Sequence, residues 1–141
     1  MQKNKDKRTR LVVDANCWIS SFLKPEFRDR LYIVFGDAYH LMVSEELFRD
    51  LANAMRKPYL VKNTSLSDYE SLVSQLQNEA ELVDVHSIVE ACRDPKDNFL
   101  LALAKDGNAD YLITGDDDLR SMNQFEKTII VKLNEFETIA K

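Results

Sequence analysis

The sequence has few of the residues that mark several classes of protein. Its only cysteines, Cys17 and Cys92, form no CxxC pair or Cys/His spacing, so neither a zinc site nor a disulfide framework is predicted. With three glycines there is no glycine-rich phosphate loop, and neither histidine belongs to a recognisable catalytic triad. No apolar stretch approaches the roughly 20 residues of a membrane span. We therefore expect a cytoplasmic protein with no membrane partner.

Acidic residues outnumber basic ones, and the net charge is -5. A negative chain argues against nucleic-acid partners unless its acids are concentrated at a site that a divalent metal neutralises. The length of 141 residues and the 45% apolar content predict one domain over residues 1–141. Within it, residues 1–9 read as a mobile basic arm, which we interpret as a solvated terminus rather than a nucleic-acid contact.

Short apolar segments alternate with helical patterns along the chain. This alternation is typical of an α/β domain with a mainly parallel central sheet flanked by helices. Ser67 and Glu70 form a capping-box pattern at the start of one helix, and Asn134 is positioned to cap the last helix. The predicted strands are 11–13, 41–43, 81–85, 111–114 and 128–133.

Acidic residues follow several of these strands. Asp14 ends the first strand, Glu46 follows the second closely, and Asp116 comes directly after the strand that ends at Thr114. The carboxyl ends of parallel strands meet at one edge of a sheet, where ligands bind, so we expect these acids to lie together. Asp118 is a candidate second ligand from the same cluster.

The segment 94–97 opens an apolar helix with two further acids. Asp94, followed by proline, is interpreted mainly as a helix N-cap, whereas Asp97 leads an otherwise apolar helix and is interpreted as functional. Asn16 and Thr114 either orient ligands and waters or satisfy backbone groups at the strand ends.

Several carboxylates at one place need a compensating cation, because like charges raise one another's pKa. Oxygen ligands of this kind suit Mg²⁺ or Mn²⁺. An ion held there can activate water for in-line attack on a phosphodiester and stabilise the leaving oxygen. Lys96 or Arg120 would help to place the phosphate.

Four segments in order resemble the PIN-domain metal-dependent ribonucleases, within the branch of toxin components of bacterial toxin-antitoxin pairs. The resemblance covers nearly the whole chain. The segments are LVVDANCWIS (11–20), SEELFRDLANAMRKP (44–58), RDPKDNFLLALA (93–104) and ADYLITGDDDL (109–119).

The resemblance implies four acidic positions around one or two Mg²⁺ or Mn²⁺ ions, with single-stranded RNA as substrate. Carried over by position, the acids are Asp14, Asp97, Asp116 and, where the family has a Glu, Asp50. Asp is one methylene shorter than Glu, so Glu46, one turn earlier, is an alternative ligand.

The resemblance also implies an outer shell and protein partners. Asp94, Asp118 and Asn16 are candidates for the outer shell. An antitoxin partner and a homodimer are expected. The alternative to a ribonuclease is a PIN-like RNA- or protein-binding module that is catalytically weak or inactive.

Overall fold

The computed structural model describes residues 7–140. Within that range the chain forms eight α-helices and six β-strands, with short 3₁₀ helices at Tyr32–Phe35 and Pro95–Asp97. No helix in this part of the chain combines the length and apolar character needed to cross a membrane. The elements are β1 (Thr9–Val13), α1 (Ala15–Leu23), α2 (Pro25–Leu31), β2 (Tyr39–Val43), α3 (Glu45–Ala54), α4 (Pro58–Asn63), α5 (Leu66–Glu79), β3 (Glu81–Leu82), α6 (Asn98–Asp106), β4 (Tyr111–Ile113), α7 (Asp117–Arg120), β5 (Gln124–Phe125), β6 (Thr128–Val131) and α8 (Leu133–Ala140).

The strands form one sheet in the order β3-β2-β1-β4-β6-β5. Every neighbouring pair is parallel except β5 and β6, which form an antiparallel hairpin. Strand β1 lies near the centre, and its residues Leu11 to Val13 have no exposed surface. Such a continuous apolar run is what a strand covered on both faces requires. The predicted α/β domain with a mainly parallel sheet is confirmed.

Helix α6 lies in the core, with five consecutive buried residues from Leu100 to Ala104. A helix that is apolar around its circumference must be covered on all sides. A Cβ at Gly107 would lie 2.7 Å from the Met42 sulfur and 3.0 Å from the Leu103 carbonyl oxygen, so a larger residue here would require the Met42 side chain to move. The left-handed conformation at this turn is taken by the next residue, Asn108, at φ 53°.

The segment from residue 83 to residue 92 has no regular secondary structure. The predicted strand over 81–85 is therefore too long, since β3 comprises only Glu81 and Leu82. Asp106, at the end of α6, holds this segment in place by hydrogen bonds. Its Oδ2 accepts from the N–H groups of His86 (2.6 Å) and Ser87 (2.8 Å), and its Oδ1 accepts from the Ser87 hydroxyl. These hydrogen bonds, above all that of the Ser87 hydroxyl, lower the pKa of Asp106.

Several sequence-based boundaries differ from the structure. The predicted capping box at Ser67 is wrong, because the N-cap of α5 lies two residues earlier, where Ser65 Oγ accepts from the Asp68 N–H at 3.0 Å. Helix α8 begins at Leu133, so Asn134 lies inside it, and β6 ends at Val131 rather than at Leu133. The predicted basic arm lies mostly outside the described residues, and β1 begins inside it at residue 9.

Candidate metal centre

Two strand ends and one helix start bring carboxylates to one edge of the sheet. Asp14 directly follows β1, and its N–H donates to the carbonyl of Ile113 at the end of β4 (3.0 Å). Asp116 comes shortly after the end of β4. Because β1 and β4 are parallel neighbours, Asp14 and Asp116 lie at the same edge of the sheet. Asp97 reaches the edge from the start of α6, which packs against β1.

Asp14 is buried, with a relative exposure of 3%. Its Oδ2 accepts from the Thr114 hydroxyl at 2.7 Å, and its Oδ1 accepts from the Asn16 N–H at 3.2 Å, which caps α1. Burial raises the pKa of Asp14 despite these two hydrogen bonds, and the charges of Asp116 and Asp50 raise it further. These hydrogen bonds hold the carboxylate in place, and no basic side chain of residues 7–140 forms an ion pair with it.

Thr114 connects two of the candidate ligands. Its hydroxyl donates to Asp14 and accepts from the Asp116 N–H at 3.0 Å. Asp116 in turn caps α7, with Oδ1 accepting from the N–H groups of Asp118 (2.8 Å) and Leu119 (3.1 Å). Among the described residues, no group donates to the Asp116 Oδ2, so that oxygen is available to a ligand.

Asp97 shows the clearest sign of a missing partner. It is 8% exposed, and its Oδ2 is buried without a hydrogen-bond partner among the residues described. It precedes α6 but forms no side-chain cap. Burial raises the pKa of Asp97 to about 7, and the charges of Asp116, Asp14 and Asp94 contribute in the same direction, while Lys96 opposes them. A buried carboxylate without a partner is costly, and a cation would remove that cost.

Asp94 and Asp118 lie beside Asp97. One carboxylate oxygen from each of the three lies within 4.8 Å of the others; over residues 7–140 no group that includes Asp14 is equally tight. Asp94 also caps the 3₁₀ helix by accepting from the Lys96 N–H at 3.2 Å, so its predicted capping role is confirmed. Asp94 and Asp118 each form an ion pair, with Lys96 at 3.6 Å and Arg93 at 2.9 Å respectively, whereas within residues 7–140 the Asp97 carboxylate forms none.

Asp50 and Glu46 occupy different surroundings on α3. Asp50 is an exposed residue, but its side chain is electrostatically coupled to the site, because its charge raises the pKa of Asp14. Partial burial raises the pKa of Asp50 itself, and Lys57 opposes this. Glu46 instead pairs with Arg49 at 3.2 Å. Of these two acids, Asp50 is the one whose charge acts on Asp14.

The two basic residues predicted to place a phosphate differ in availability. Lys96 lies 3.6 Å from Asp94, and its ammonium group is largely exposed beside the acids. Arg120 forms ion pairs with Asp117 (3.7 Å) and Glu135 (3.8 Å), and its Nε is buried with no hydrogen-bond partner in the described part of the chain. Arg120 therefore connects α7 to α8, and Lys96 is the better placed of the two.

The sequence patterns did not identify Arg93. Its Nη2 lies 2.9 Å from Asp118 Oδ1, so it partly neutralises one member of the tight acidic group. The only local signal is its position next to the acidic start of the 3₁₀ helix. Its partner lies in another element, and only folding brings the two together.

The donor set fits a hard divalent cation. All candidate ligands are carboxylate oxygens, which suit Mg²⁺ and Mn²⁺ better than softer metals. The orphaned Oδ2 of Asp97 and the raised pKa values of Asp14, Asp50 and Asp97 are what is expected of ligands described without their ion.

Comparisons with known proteins agree with this architecture. A sequence profile of a family described as PIN domain matches residues 10–118. A crystal structure of VapBC2 from Rickettsia felis, bound to a DNA fragment from its promoter, matches with a TM-score of 0.58 at 12% identity, covering 86% of this chain and 97% of that chain. At this identity the likeness concerns the fold alone. A comparison with curated proteins finds no match.

Proposed function

Because the chain belongs to the PIN-domain family, we propose that it is a metal-dependent ribonuclease that hydrolyses phosphodiester bonds of single-stranded RNA. The observation that supports this most strongly is the buried, unpartnered Oδ2 of Asp97 beside the charges of Asp14 and Asp116. Asp94 caps the 3₁₀ helix that leads into α6, and the Asp97 side chain makes no cap hydrogen bond to α6, so capping does not account for the buried carboxylate.

In this proposal Asp14, Asp97 and Asp116 hold the Mg²⁺ or Mn²⁺, and Asp50 is the fourth acid. Asp94 and Asp118 provide outer carboxylates, or ligands for a second ion. Asp14 and Asp116 are positioned as a pair, because each bonds to the same buried hydroxyl of Thr114. The bound ion would lower the pKa of the attacking water and stabilise the leaving oxygen.

The neighbouring residues place the RNA strand. Lys96 is exposed beside the acids and offers a positive charge to a phosphate oxygen. Asn16 follows Asp14 at the start of α1, at the exposed border of the site. The acids repel a polyanion unless their charge is neutralised, so RNA binding and metal binding are expected to be coupled.

The test is cleavage of labelled single-stranded RNA with Mg²⁺ or Mn²⁺. Chelator is expected to abolish cleavage, and Asp97→Asn and Asp116→Asn each to slow it at least about a hundredfold. Asp117→Asn is the matched control, because Asp117 is exposed and pairs, among residues 7–140, with Arg120 at 3.7 Å. Undiminished cleavage in both site variants, or in chelator, would show that these acids do not form the catalytic centre.

We further propose that the protein is the toxin of a toxin-antitoxin pair, with an antitoxin protein partner and a homodimeric state. The four motif segments and the likeness to VapBC2 support this. Induced expression in bacteria should arrest growth in the wild type and not in Asp97→Asn, and a co-expressed antitoxin should relieve the arrest. Light scattering reports the oligomeric state. Equal growth arrest by the wild type and by Asp97→Asn would contradict the proposed toxin.

One observation favours the alternative, a PIN-like module that binds RNA or protein without turnover. Asp50 is exposed and has a shorter side chain than the Glu expected at its position. Mn²⁺ titration by calorimetry separates the two hypotheses. A module without the site should give no specific heat, whereas an intact site should bind Mn²⁺ and lose it in Asp14→Asn.

A further inference from the structure

Two cavities open beside the carboxyl edge of the sheet, and they differ in charge. The larger one, ≈ 630 Å³, includes Glu45, Glu46 and Asp84 in its lining, and its arginine, Arg49, pairs with Glu46 at 3.2 Å. The smaller one, ≈ 480 Å³, lies between α1, α2 and the start of α8, and Asp116 forms part of its wall. Both volumes are in the range of ligand pockets, about 300–1,000 Å³. The smaller cavity is the less acidic and suits an anionic ligand better.

Strand register places a lysine in this smaller cavity. The N–H of Thr114 donates to the carbonyl of Val131 at 2.9 Å, which sets Lys132 beside the segment that leads to Asp116. Lys132 lines the cavity, and its ammonium group forms no ion pair with any residue between 7 and 140.

The second cation of the cavity is already neutralised. Arg30 lines the cavity and makes a two-pronged ion pair with Glu137 of α8, at 2.6 Å for the shortest contact, which joins α2 to α8. Lys132 therefore provides the charge available to a phosphate.

The remaining lining offers an aromatic ring and two unused amides. Phe27 of α2 lines the cavity and is partly buried against the core. Within the described part of the chain, no hydrogen bond is made by the side-chain amides of Asn16 and Asn134. Aromatic faces stack nucleobases, and amide groups pair with base edges. Ring, amides and ammonium together match the base and the phosphate of one nucleotide.

We propose that this pocket binds one nucleotide of the RNA strand, next to the phosphodiester that is cleaved. Lys132 contacts its phosphate, Phe27 stacks on its base, and Asn16 and Asn134 bind the base edge. The inference rests on the proposed function, because the same strand must pass the acids. A base has to leave its stack to enter the pocket, so the pocket selects single-stranded over double-stranded RNA.

The first test measures binding of a fluorescent single-stranded RNA by anisotropy, with Ca²⁺ in place of Mg²⁺ or Mn²⁺ so that the acids are neutralised. Gel electrophoresis of the same samples checks that the RNA remains uncleaved. Lys132→Ala should weaken binding roughly tenfold at low salt and reduce the slope of log K against log salt by about 0.7, the value for one lost phosphate contact on a single strand. Lys62→Ala is the matched control, because Lys62 is an exposed lysine on α4 outside both cavities. Equal slopes for Lys132→Ala and Lys62→Ala would overturn the phosphate contact.

The second test concerns the ring. Phe27→Leu retains an apolar side chain against the core but cannot stack, and it should weaken RNA binding roughly tenfold. Thermal unfolding checks that this variant is folded; if it is not, the Lys132→Ala and Lys62→Ala pair decides the proposal. A duplex of the same sequence should bind more weakly than the single strand, and equal binding would overturn the pocket assignment.

The outcomes separate this pocket from the ribonuclease proposal. If the wild type cleaves RNA while the Lys132 and Phe27 variants bind like the wild type, the pocket assignment is wrong and the ribonuclease stands. If the variants lose binding but no metal-dependent cleavage occurs, the pocket stands and the ribonuclease fails. A wild type that neither binds nor cleaves RNA contradicts both.

Discussion

At the scale of single residues, Asp97 combines burial, a raised pKa of about 7 and an unpartnered oxygen. Without metal, the folded protein holds a proton on Asp97 that the unfolded chain releases above its ordinary pKa of 3.8. Stability in chelator should therefore fall as the pH rises from about 4 to about 7, and change no further above that through this group.

Asp97→Asn cannot ionise, so in chelator it should be more stable than the wild type near pH 8, by up to about 4 kcal/mol for a pKa raised from 3.8 to about 7. The difference should shrink as the pH falls towards about 4, because the wild-type carboxyl is then neutral in both states. Urea denaturation at several pH values measures this. A pH-independent difference would mean that Asp97 is not the titrating group.

Thr114 is a positioning residue, since its buried hydroxyl joins Asp14 to the backbone of Asp116. Thr114→Val keeps the shape but leaves a carboxylate oxygen without its donor. We expect a loss of about 1–2 kcal/mol in unfolding free energy and of roughly tenfold in Mn²⁺ affinity. Thr114→Ser should restore both in denaturation and calorimetry; a Ser variant as impaired as Val would point to packing of the methyl group instead.

At the scale of elements, the start of α5 shows that a sequence pattern alone does not determine which residue caps a helix. The Ser67 to Glu70 pattern resembles a capping box, yet Ser65 makes the cap. Ser65→Ala should cost about 1 kcal/mol of unfolding free energy, whereas Ser67→Ala should cost less than about 0.5 kcal/mol. Urea denaturation of the two variants compares them directly, and a larger loss for Ser67→Ala would contradict the observed cap.

Helix α7 has only four residues, and it begins where Asp116 accepts from two backbone N–H groups. Asn caps helices about as well as Asp. Asp116→Asn therefore removes the charge while retaining the cap, which makes it a cleaner test of metal binding than Asp116→Ala.

At the scale of the whole molecule, metal binding is expected to stabilise the fold by mass action. At Mn²⁺ concentrations one hundred times the dissociation constant the gain is about 2.7 kcal/mol, or roughly 5–10 °C in Tm for a domain of this size. Differential scanning fluorimetry should show the gain in the wild type and in Asp117→Asn. Asp97→Asn should lack it; an equal shift in that variant would place the bound ion elsewhere.

The sequence by itself determined the features that depend on local pattern. Alternating apolar segments and helical periods predicted the α/β sheet, and Asp14 and Asp116 stand at strand ends because parallel strands share one carboxyl edge. The cap at Asp94 follows from its own neighbours along the chain. The Ser67 cap was predicted wrongly because serines stand at both 65 and 67, and the sequence pattern does not determine which of them precedes the first turn of α5.

Only the tertiary structure decided which polar groups lack partners and which charges meet. The orphaned oxygen of Asp97 results from burial by surrounding elements. The pairing of Arg93 with Asp118, and the position of Lys132 beside Thr114, join residues that are far apart in sequence. Burial and charge proximity are three-dimensional quantities. Spacing along the chain determines which residues can share an edge of the sheet, and packing determines which of their polar groups are buried without a partner.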